Sequence, residues 1–74
     1  MSKNLKRIRF LKIAPKRTNS IIHLLHLLSN CSNKNNYEYT SEEIQKIFIT
    51  LKKELEQAEN VFLKLQNKES KFEL

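Results

Sequence analysis

His23, His26 and Cys31 are the residues whose types best suit a metal ion. Residues three apart on a helix share a face, and zinc accepts imidazole nitrogen and thiolate sulfur. The set is nevertheless incomplete. A fourth ligand is missing, and Cys31 lies beyond the end of the helix expected to carry the histidines. The plainer reading, adopted here, puts both histidines on the polar face of an otherwise apolar helix, with no metal. A Cys–His nucleophile fails for a related reason: no residue is placed to orient the histidine. Glycine is absent from all 74 residues. Dinucleotide-binding turns, phosphate-cradling loops and nucleophile elbows all need it, because a Cβ blocks their backbone angles or their close approach to a ligand. The chain is therefore read as non-enzymatic, with no catalytic residue and no cofactor.

The residues that can do chemistry are the cations. Lys3, Lys6, Arg7, Arg9, Lys12, Lys16, Arg17 and Lys34 precede the first acid, Glu38, so the first 37 residues carry +8. From Glu38 onward six lysines face eight glutamates, which brings the total to the formal +6. A one-signed Lys/Arg-dense terminus joined to a charge-mixed segment points to a polyanion, most often nucleic acid. Lysine and arginine can neutralise phosphates and release counterions. Phe10 within the basic stretch, and Tyr37 and Tyr39 further on, can stack on unpaired bases. The competing readings are a solubilising tail and a membrane-surface or organellar-transit segment. Against a membrane surface stands the lack of a clean amphipathic stripe. The longest apolar stretch, Ile21 to Leu28, is too short to span a bilayer and is interrupted by both histidines. The expected location is the cytoplasm, with an organellar stroma or matrix as the other possibility. One cysteine excludes an intrachain disulfide, which fits a reducing compartment.

The elements that must position these residues are helical, since hairpin turns of types I′ and II′ are disfavoured without glycine. Residues 1–16 are expected to form a basic, partly flexible arm. Leu5, Ile8, Phe10, Leu11 and Ile13 scatter around a helical wheel, and Pro15 biases Ala14 away from helical angles. A short helix is expected over about 18–29, capped by Thr18, Asn19 or Ser20. Ile21, Leu24, Leu25 and Leu28 share its face, and Asn30 suits a left-handed C-terminal cap. A polar connection from Ser29 to Tyr39 follows, too long for a helix-turn-helix reader. Thr40-Ser41-Glu42-Glu43 then fits the capping box, with Tyr39 and Ile44 placed as a hydrophobic staple.

The second helix is expected over about 41–68. Ile44, Phe48, Leu51, Leu55, Ala58, Phe62 and Leu65 recur at alternating spacings of four and three, forming a heptad seam. Phenylalanine at two seam positions is a poor choice for a tight parallel dimer, so an antiparallel hairpin or small bundle fits better. A helix of ~17 Å cannot cover one of ~40 Å. The arm or another chain must then cover Phe62 and Leu65.

The fold class expected is all-α: a two-helix antiparallel hairpin over 17–70, with a basic N-terminal arm and a frayed tail at 71–74. The function expected is association with RNA, a ribonucleoprotein or DNA through Lys3, Lys6, Arg7, Arg9, Phe10, Lys12, Lys16, Arg17 and Tyr37. The alternative is a protein-interaction or dimerisation module that uses Phe48, Leu55, Phe62 and Leu65. Its partner would be a second copy or a larger helical protein.

Overall fold

The computed structural model describes the backbone of residues 2–70 and the side chains of residues 4–66. Helix α1 spans Ser2–Asn30 and helix α2 spans Ser41–Ser70. There is no strand among the described residues, so the protein is all-α with two helices. The chain divides into two units, Met1–Glu38 and Tyr39–Leu74.

Helix α2 begins where its capping box requires. The Thr40 N–H donates to Glu43 Oε1 at 2.8 Å, and the Glu43 N–H donates to Thr40 Oγ1 at 3.1 Å. The Ile44 N–H closes the first turn onto the Thr40 carbonyl at 3.2 Å. Tyr39 and Ile44, on either side of the box, are half-buried and line one shallow recess, as a staple should. Glu42 and Glu43 stand in the first turn, where the helix dipole favours negative charge. The C-terminal end lies two residues beyond the expected 68, which is ordinary fraying distance.

Helix α1 corrects the expectation for the first half of the chain. It runs unbroken from Ser2, so residues 1–16 are not a separate non-helical arm and the helix does not start near residue 18. Thr18 and Ser20 are not caps. Their hydroxyls donate backwards, to the Ala14 carbonyl at 2.9 Å and the Lys16 carbonyl at 3.1 Å, as hydroxyls do inside a helix. Pro15 lies within the helix. It removes one donor, the one that would bond the Leu11 carbonyl, at a cost of ~3 kcal/mol. A helix of 29 residues makes roughly 25 such bonds, and good helix formers stand on both sides of the gap. One lost bond does not outweigh the rest.

The end of α1 also differs from expectation. No described residue has positive φ, so Asn30 is not a left-handed cap. Three successive tight turns replace it, with the N–H groups of Cys31, Ser32 and Asn33 donating to the carbonyls of Leu28, Ser29 and Asn30 at 3.0, 3.0 and 3.3 Å. Asn33 then organises the connection. Its Oδ1 accepts the Asn35 N–H at 2.9 Å, and its carbonyl accepts the N–H groups of Asn36 and Tyr37. Side chain and backbone of one residue thus hold the turn without glycine.

Burial is the other result. Among the described residues none is buried, and only Ala14, Leu28, Tyr39 and Ile44 are half-buried. The expected tail at 71–74 lies outside the described residues.

Two substitutions test these local assignments by circular dichroism. Pro15→Ala should raise helix content and shift the melting of α1 upward, by up to ~3 kcal/mol. An unchanged spectrum would contradict a helix continuous through residue 15. Thr40→Ala should cost α2 ~1 kcal/mol through loss of the Oγ1 that accepts the Glu43 N–H, while the backbone N–H at position 40 can still donate to Glu43.

Candidate polyanion-binding surface

The charge boundary and the structural boundary nearly coincide. The first unit holds eight cations and Glu38, net +7, and the second holds six lysines and seven glutamates, net −1. Seven of the eight cations lie on the first half of α1, which has no acid in its first turn.

Their setting is electrostatically unfavourable. Lys6–Arg9 and Arg9–Lys12 stand three apart, and Lys3–Arg7 and Lys12–Lys16 stand four apart. Like charges at these spacings each destabilise a helix by ~0.2–0.5 kcal/mol. Cations in the first turns also oppose the positive end of the helix dipole. Together with Pro15, this half of α1 bears three penalties, two of which bound anions would remove.

Lys6, Arg7, Arg9, Lys12, Lys16 and Arg17 are all exposed. Lys3 is on the helix, but its side chain is outside the described residues. At 100° per residue the cations occupy an arc of roughly 220°. They surround the helix on most sides instead of forming one stripe. Phe10, 48% exposed, falls within that arc, one turn from Lys6 and two from Arg17. A base stacked on its ring would leave its phosphate within reach of those cations.

Tyr37 does not join this group on the same stretch of helix. It is 50% exposed, but it lies in the connection after Asn30. The axis from Phe10 to Asn30 covers twenty residues, ~30 Å.

Of the other candidates, the histidines and Cys31 form no metal set. Among the described residues no three His, Cys, Asp or Glu side chains come together to hold a metal ion. The Cys31 thiol donates to the Leu27 carbonyl at 3.8 Å, and the cysteine is exposed. No helix among the described residues is long and apolar enough to cross a membrane. On α2, Phe48, Leu55, Phe62 and Leu65 are all exposed, Leu55 at 69%. Leu51 and Ala58 complete the same row, and the heptad spacing is the signal that includes them.

The chain matches no protein-family model, and neither the curated proteins nor the solved structures gave a match.

Proposed function

We propose that this is a small, non-enzymatic nucleic-acid-associated protein that holds phosphate through the basic first half of α1. The observation that carries the reading is a helical segment with seven cations, no acid, and the described basic side chains all open to solvent. Bound phosphates relieve both the like-charge repulsion and the unfavourable dipole, so nucleic acid should stabilise the element that binds it.

The distribution of charge favours nucleic acid over a membrane surface. A helix lying on a bilayer needs its cations on one side and its apolar residues on the other. Here the cations wrap around the helix, and Phe10 and Ile13 fall among them. A helix ~10–12 Å across with cations on several sides suits a site walled by phosphate on more than one side. Phe10 offers a stacking surface for any base, so the chemistry is tolerant of sequence.

A second reading rests on a separate observation: the exposed apolar row of α2 makes it a surface for another helix. The two readings separate by mutation. Lys6, Arg7 and Arg9 to glutamate should abolish nucleic-acid binding, whereas Phe62→Ser with Leu65→Ser should leave it intact.

Salt titration tests the first reading. With about five phosphate contacts, log K should fall against log[salt] with a slope near −4, a loss of ~250-fold between 50 and 200 mM. A flat dependence would overturn it. Saturating oligonucleotide should also raise the helical dichroism, and the triple glutamate variant should lose that response.

A further inference from the structure

We infer that the exposed seam of α2 pairs with a second copy of itself, antiparallel, in one register. The seam is continuous over a 30-residue helix, and none of its described side chains is buried. Its 4-3 spacing assigns Ile44, Leu51, Ala58 and Leu65 to one core position of the heptad and Phe48, Leu55 and Phe62 to the other. The residues flanking the seam are Gln45, Lys52, Glu59 and Gln66 along one edge, and Ile47, Glu54 and Val61 along the other. Lys52, Leu55, Glu56 and Glu59 border one shallow open recess.

Charge and size together select the arrangement. In a parallel pair each flanking residue meets the opposite edge of its partner, which sets Glu54 against Glu59 of the other copy, twice. Phe48 would also face Phe48 and Ala58 face Ala58, crowding two layers and leaving a third empty. In an antiparallel pair each edge meets its own counterpart. With Phe48 opposite Leu65, Leu51 opposite Phe62 and Leu55 opposite Ala58, each of these layers combines a larger with a smaller side chain. In that register Lys52 meets Glu59 of the other copy, twice, and Gln45 meets Gln66. A shift of one heptad in one direction sets Lys52 against Lys52, and in the other Glu59 against Glu59. Like charges at such positions are a standard means of excluding a pairing. One register is left without a repulsive pair on the Lys52–Glu59 edge.

The inference does not depend on nucleic-acid binding, and its test leaves that activity aside. Sedimentation equilibrium of the full chain under reducing conditions should show a monomer–dimer equilibrium. Lys52→Glu and Glu59→Lys should each weaken the dimer about tenfold at low salt, since each converts two attractive pairs into two repulsive ones. The double variant K52E/E59K should restore it to within about threefold. High salt should compress these differences. Helical dichroism of each variant controls for loss of the helix itself. A chain that stays monomeric at all concentrations overturns the inference. So does Glu59→Lys tightening the dimer, because only the parallel pair gains from removing the Glu54–Glu59 contact. Loss of the dimer in the Lys6, Arg7 and Arg9 to glutamate variant would assign the seam to α1 of another copy and also overturn it.

Discussion

Among the described residues neither helix removes a side chain fully from water, and that constraint governs everything else about this protein. Isolated helices of ordinary sequence are marginal in water, and most helical stability in proteins comes from packing an apolar face. Leu24, Leu55 and Phe62 each keep more than half of their surface exposed. The local devices that define the elements, such as the Thr40–Glu43 box and the Asn33 turn, set where helices start and stop. Each contributes on the order of 1 kcal/mol, too little to replace a core. The two helices differ in what they offer the partners proposed for them.

Helix α1 offers charge. Its first half concentrates repulsion on a segment that also contains a proline, so its helical state depends on its surroundings. Anything that neutralises the cations stabilises the helix that presents them, which couples binding to folding. Helix α2 offers shape instead. Its charges are mixed, its N-terminus is well capped and its seam is regular, so its helicity depends less on ionic conditions. The division between Glu38 and Tyr39 thus separates an electrostatic element from an apolar one.

The legible parts of the sequence were those written in short-range chemistry. Thr40 to Glu43 specifies its own hydrogen bonds, and the start of α2 at Ser41 follows from four residues. The heptad spacing of Phe48, Leu55, Phe62 and Leu65 likewise determines which face they share. The first half of α1 was not legible, for two physical reasons. Its apolar residues have no helical stripe because no core waits for them, so periodicity, the usual signal, is silent. Pro15 and the run from Thr18 to Ser20 also imitate a helix start, although inside a helix the same hydroxyls bond backwards to carbonyls. As for the candidate surface, the identity of its cations could be read from sequence. Their arrangement around a rod, and the placing of Tyr37 beyond the end of α1, could not.

The hydrogen bonds given above for the Asn33 turn and the Thr40–Glu43 cap join residues four or fewer apart. Such a chain has little topology to search. Local contacts of this kind favour fast folding, and helices of this length relax within about a microsecond. Under the proposed readings, the slow step in reaching the bound form is then diffusion to the partner, timed by encounter and not by the chain itself.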